Sequence, residues 1–332
     1  MPRLPLHALS LFTLLTFASL PAVAENQWLT YPGGDGAGEG VHVVLVSGDE
    51  EYRSEEALPQ LAKILSQHHG FRCTVLFAID PHTGVIDPEE SSNIPGLEAL
   101  RTADLMIIAT RFRALPDEQM KDIVDYVEKG KPIIGLRTAT HAFNFKGNET
   151  YARYGWNYKG KDYEQGFGRQ VLGETWISHH GKHKHESTRG IVEDSSHPIA
   201  TGIADGDIWG SSDVYGVRLP LPGDSHVIVK GQILGGMEPQ SQPVTDQRND
   251  PMMPIAWTRT YKGGRIFTTT MGAATDLQND SLRRLVLNAV LWSVGREDKI
   301  TAMLDVSLVG DYKPSAYGFG SFIKGKKPAD YQ

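Results

Sequence analysis

The chain has 332 residues, with 33 Lys+Arg against 40 Asp+Glu and a formal net charge of −7. That acidic balance argues against nucleic acid or an anionic membrane surface as a partner. Cys73 is the only cysteine, so an internal disulfide is excluded, and a chain of this length buries enough apolar surface without one.

Residues 1–24 read as a secretory signal. Arg3 and the amino terminus supply positive charge, Ala8 to Leu20 is mostly apolar, and Ala22-Val23-Ala24 is a small-x-small cleavage site. The expectation is an exported protein, periplasmic or extracellular, that begins near Glu25. No segment is apolar over the length a membrane span needs. Residues 25–298 read as one domain, and 299–332, rich in Gly, Lys and Pro, as a tail packed on its surface.

Strand and helix signals then alternate. Val41–Ser47, Cys73–Ala78, Asp104–Thr110 and Pro132–Leu136 are apolar runs that predict strands buried on both faces. Between the first two, Ser54 is placed to cap a helix whose apolar stripe is Leu58, Leu61, Ile64 and Leu65. Pro116 starts a second helix with Met120, Ile123, Val124 and Val127 inward, and Gly130 ends it. The alternation predicts an α/β fold with a largely parallel sheet covered on both sides. From Thr138 to Trp209 the pattern fades into Gly, His and aromatics, which reads as inserted loops. Asp213–Arg218, His226–Ile233, Pro254–Tyr261 and Gly264–Met271 are further strand candidates, and Asp280–Val294 is an amphipathic helix that Asp276 is placed to cap.

In a parallel α/β sheet, ligands sit beyond the carboxyl ends of the strands, and that rule ranks the candidate site residues. After the first strand, Asp49, Glu51 and Tyr52 lie in a Gly-started acidic turn. The turn could bind metal, supply a base or hold sugar hydroxyls, or simply be solvated ahead of a helix. After the fourth strand, Arg137, Thr138 and His141 occupy a strand-to-helix turn like a nucleophile elbow. Class I glutamine amidotransferases place Gly-x-Cys-x-Gly here. Arg137 stands in the cysteine position and Ala139 in that of the second glycine, so glutaminase chemistry is excluded. Arg137 is then a candidate donor to a carbonyl or anionic group, His141 a base or ligand, and Thr138 a substrate contact.

Ser178 to Glu186 carries four of the twelve histidines. Imidazoles in one loop with a carboxylate suit a divalent ion, zinc first, and His180, His183 and His185 are the candidate ligands. Direct hydrogen bonding to a ligand and a flexible polar loop are the competing readings. Between these stretches runs a dense aromatic set in which Trp156 and Tyr158 are the first candidates for stacking on a sugar. Asp213 lies near a later strand end.

Gly135–Phe143, Gly173–Arg189, Ile208–Val217, Asp250–Tyr261 and Gly264–Gly295 resemble the ThuA-like (trehalose utilisation) family, most strongly in Pro254-Ile255-Ala256-Trp257-Thr258-Arg259 and Gly264 to Gly272. The resemblance implies a three-layer, flavodoxin-like fold of the class I glutamine amidotransferase-like type, without amidotransferase activity. It also implies a role in disaccharide or glycoside utilisation, often through 3-keto sugars. Many relatives have Gly-His after the late strand, whereas Gly272 is followed here by Ala273. The leading expectation is a metal-assisted acid–base enzyme (lyase, hydrolase or isomerase) acting on a small carbohydrate. A non-catalytic carbohydrate-binding protein is the alternative, and a hydrolase of esters or amides is a third reading.

Overall fold

The computed structural model describes Met1 and residues 26–146 and 150–332. The expected signal segment, apart from Met1, therefore lies outside the described residues. No helix among the described residues is long and apolar enough to cross a membrane.

The elements in chain order are β1 (Trp28–Tyr31), β2 (His42–Gly48), α1 (Ser54–His69), β3 (Arg72–Leu76), β4 (Leu105–Thr110), α2 (Asp117–Glu128) and β5 (Ile133–Leu136). There follow β6 (Ser178–His179), β7 (Ser187–Val192), β8 (Ile208–Gly210), β9 (Tyr215–Gly216), β10 (His226–Leu234), β11 (Met253–Tyr261), β12 (Gly264–Thr269) and α3 (Asp280–Ser293). One sheet takes ten strands in the order β1-β3-β2-β4-β5-β12-β11-β10-β7-β8, and β6 and β9 form a separate ribbon.

The largely parallel sheet expected from the sequence is corrected to a mixed one. β3, β2, β4, β5 and β12 run parallel, while β1 and the run β11-β10-β7-β8 are antiparallel to their neighbours. The change of direction comes at the turn between β11 and β12. Lys262 (φ 49°) and Gly263 (φ 86°) are both left-handed there, the backbone a tight hairpin needs. The loops expected between Thr138 and Trp209 are also corrected, because β7 and β8 join the main sheet. Their strands are short and half-polar, so they carry little periodic signal.

Alternate residues of the parallel strands feed two cores. Val43, Leu45, Val75, Ile107, Ile134 and Phe267 pack with α1 and α3, and Val44, Val46, Met106, Ile108, Ile133 and Ile266 pack with α2. Two expected caps are corrected. Arg53 in a left-handed conformation (φ 62°) precedes α1, and the Ser54 hydroxyl is instead 2.8 Å from that of Ser47. Asn279 caps α3 by accepting from Leu282 N. Asp276 accepts from the backbones of Ser212, Gly272 and Ala273. It therefore ties the turn after β12 to the segment after β8, which is what carries Asp213 toward the parallel strands.

Candidate functional site: a carboxylate–imidazole cluster at the strand ends

The loops that leave β2, β4 and β5 meet the segment after β8, and the chain there turns polar. Arg137 follows β5 with φ 43°, so the elbow conformation is kept without a nucleophile in it. Its guanidinium turns inward. Nη1 donates to the carbonyls of Asp213 and Thr270, both at 2.7 Å, and Nη2 donates to Tyr52 Oη at 3.1 Å and Asp213 Oδ1 at 3.0 Å. The faces of Tyr52 and Tyr215 lie 4.4 and 3.6 Å away. With those donors engaged and the side chain sealed, Arg137 positions Asp213. It does not reach a ligand as the sequence reading expected.

Asp213 is the hub. Burial alone would raise its carboxyl, but the charge of Arg137 and hydrogen bonds from His179 and His183 outweigh burial and hold it well below the usual carboxylate range. His179 Nδ1 is 2.7 Å from Oδ2, and His183 Nδ1 is 3.1 Å from Oδ1. On its other side, His183 Nε2 is 3.1 Å from Glu51 Oε1. Glu51 Oε2 in turn faces Arg111 Nε at 3.6 Å.

His183 thus has a carboxylate oxygen at each ring nitrogen. A neutral imidazole carries one N–H and can satisfy only one of them. A cation set among these oxygens and ring nitrogens fits that arrangement. His179, His183 and Asp213 each offer a ligand atom, and these atoms lie within 4.8 Å of one another. Two imidazoles and a carboxylate form a donor set suited to zinc or a similar divalent ion.

The metal trio expected from the sequence is corrected in its membership. His183 enters the cluster, but His180 Nε2 is 2.7 Å from the carbonyl of Arg248, and His185 is exposed. Local backbone geometry explains this. The β6–β9 ribbon pairs His179 with Tyr215, which lays His179 beside Asp213. Glu186 N and His185 N both bond Lys182 O at 2.9 and 3.0 Å, and the turn brings His183 back against His179 with ring centroids 4.7 Å apart. Glu186 and Arg248 clamp the loop with contacts of 2.6 and 2.9 Å. Lys182 is mostly exposed beside Glu186, so its charge leans away from the cluster.

Among the other expected residues, Asp49 is buried and accepts from the N–H groups of Glu51 and Tyr52 at 2.9 and 3.1 Å. It shapes the turn, and burial pushes its carboxyl up to about 6. Thr138 is buried with its hydroxyl unpartnered among the described residues. His141 is enclosed by Phe112, Trp176 and Tyr215 at 4.9, 5.0 and 5.9 Å. Burial, followed by the charges of Arg111 and Arg137, drives its pKa well down and keeps the ring neutral. It is a wall of the site rather than an open base. Trp156 and Tyr158 lie together beyond Trp176, along one cavity. The sequence placed His179 in the histidine stretch and Trp176 in the aromatic set without singling either out, and gave no pointer to Arg111 or Tyr317. The tail supplies the last of these. Tyr317 stacks 5.3 Å from Tyr52 and 5.7 Å from His183 and donates to the Ser211 carbonyl at 2.9 Å.

The family model for ThuA, described as trehalose utilisation, matches residues 42–293. The chain belongs to the ThuA family. That membership places it in carbohydrate utilisation in general. A ThuA-like protein of Bacteroides uniformis ATCC 8492 is similar in structure at 15% identity and a TM-score of 0.50, covering 83% of this chain and 100% of that one. A ThuA-like protein of Parabacteroides merdae ATCC 43184 is similar at 16% identity and a TM-score of 0.48, covering 88% and 99%. No curated protein matches the chain.

Proposed function

We propose that this ThuA-family protein is an exported enzyme that acts on a sugar or 3-keto sugar at the Glu51–His183–Asp213 cluster. We also infer the flavodoxin-like frame that the family resemblance implies. The observation that carries the reading is His183, held 3.1 Å from a carboxylate oxygen at each ring nitrogen beyond the ends of the parallel strands.

A carbonyl group on a sugar acidifies the proton on the adjacent carbon. Glu51 is the base placed to remove and return such a proton, with His183 Nε2 3.1 Å from its carboxylate to orient it, which supports elimination, hydration or isomerisation. Asp213, fixed by Arg137, orients both imidazoles. His179, His183 and Asp213 would hold a divalent ion, which when bound would polarise the sugar carbonyl. Tyr52, Tyr215 and Tyr317 shield the carboxylates from bulk water.

Incubating tag-free protein with a 3-keto disaccharide and following products by mass spectrometry tests the reading. New product that disappears in His183→Ala supports it. Binding without product would favour the non-catalytic carbohydrate-binding protein, and product unaffected by His183→Ala would refute the assignment.

A further inference from the structure

We propose that the cavity walled by Trp156 and Trp176 is the subsite for the second ring of an uncharged disaccharide, a proposal that rests on reading the neighbouring cluster as a sugar site. The cavity, of about 230 Å³, is lined by Trp156, Tyr158, Gln165, Thr175, Trp176 and Arg218 among others. It is separate from the cluster yet shares a wall with it. Trp176 packs 5.8 Å from His179, 5.0 Å from His141 and 6.1 Å from Trp156.

Four rings close a circuit: Phe112 to His141 at 4.9 Å, His141 to Trp176 at 5.0 Å, Trp176 to Trp156 at 6.1 Å, and Trp156 to Phe112 at 5.4 Å. Trp176 therefore belongs both to the rings around the cluster and to the wall of the cavity. Both indole N–H groups are buried and have no partner among the described residues. Those atoms are closed to a ligand, so what the cavity offers is the half-buried ring surface, which suits the apolar C–H face of a pyranose.

Charge narrows the class further. Arg218 in the lining is taken by Gln165 and by Glu174, the latter at 3.1 Å. Glu174 is fully buried and also pairs with Arg169. Lys159 and Glu164, both exposed, bring one charge of each sign to the rim. Among the described residues Lys159 is the one lining cation without an ion pair, and it is exposed on the rim, so the lining lacks the cation cluster that binds a phosphate and favours a neutral ring.

Calorimetry of the full chain with glucose, trehalose and trehalose 6-phosphate tests the proposal in wild type, Trp156→Ala and Trp156→Phe, with thermal melts to verify folding. The expected result is trehalose bound about ten-fold tighter than glucose. The preference should be lost in Trp156→Ala, largely kept in Trp156→Phe, and accompanied by no gain from the phosphate. Equal losses for both sugars, no loss for either, or tighter binding of the phosphate would overturn the subsite. Glucose binding that requires His183, with no preference for trehalose, would remove the subsite and leave the cluster reading intact. If wild type binds neither sugar, the subsite falls, and the cluster reading is decided by the 3-keto product test.

Discussion

Arg137 Nη2 and Asp213 Oδ1 lie 3.0 Å apart, and both side chains are sealed from solvent. The residue in the elbow of this frame therefore serves a neighbouring carboxylate instead of meeting substrate. Asp213 is fixed on one side by the guanidinium and on the other by two imidazoles, so the site depends on a pair that is 76 residues apart in sequence.

Arg137→Met should be strongly destabilising, because breaking a buried pair leaves the other charge uncompensated. A loss of about 3–5 kcal/mol is expected, read from urea unfolding at neutral pH. An unchanged unfolding midpoint would show that the pair contributes little.

The parallel half of the sheet was legible because its strands are apolar on both faces and flanked by strong helix stripes. Val43 to Val46 feed both cores from four consecutive positions. The antiparallel half was only partly legible. β7 and β8 alternate weakly, and β1 is four residues paired to the edge at β3. Within the site, Glu51, Tyr52, Arg137, His141 and Asp213 followed from their positions after strands. The histidine loop could be found but not resolved. Its pairing depends on the β6–β9 ribbon and on Glu186–Arg248, partners 62 residues apart, and local spacing pointed to His180 and His185 instead. Tyr317 has no local signal at all, since its role arises only from the path of the tail.

A buried carboxyl gives a pH test. Burial pushes Glu55 up to about 8, against the opposing charge of Arg53. A raised folded-state pKa stabilises the protein fully below the unfolded value of 4.5, and that contribution is lost as pH rises through about 8. The melting temperature of wild type should therefore fall more steeply than that of Glu55→Gln between about pH 4.5 and 8, and run parallel to it above that. Curves parallel across the whole range would place Glu55 in a different environment.

The tail should matter in two separable ways. Tyr317→Phe removes the hydrogen bond to Ser211 and should cost about 1 kcal/mol, with sugar binding retained. Tyr317→Ala also removes the ring packed on Tyr52 and His183, and should cost about 3–5 kcal/mol and weaken binding. Chemical denaturation and calorimetry of both variants check this, and equal behaviour of the two would remove the packing role.

Export is checked at the N-terminus. Protein recovered from the native host should begin near Glu25 by mass spectrometry, and an intact Met1 in the mature fraction would contradict cleavage.

The most direct test of the central claim is the divalent-metal content of purified, tag-free protein by inductively coupled plasma spectrometry, for wild type, His180→Ala and His183→Ala. Geometry predicts about one equivalent in wild type and in His180→Ala, whose ring only anchors the loop to Arg248, and its loss in His183→Ala. Less than about 0.1 equivalent in wild type, or loss in His180→Ala with retention in His183→Ala, would contradict the account.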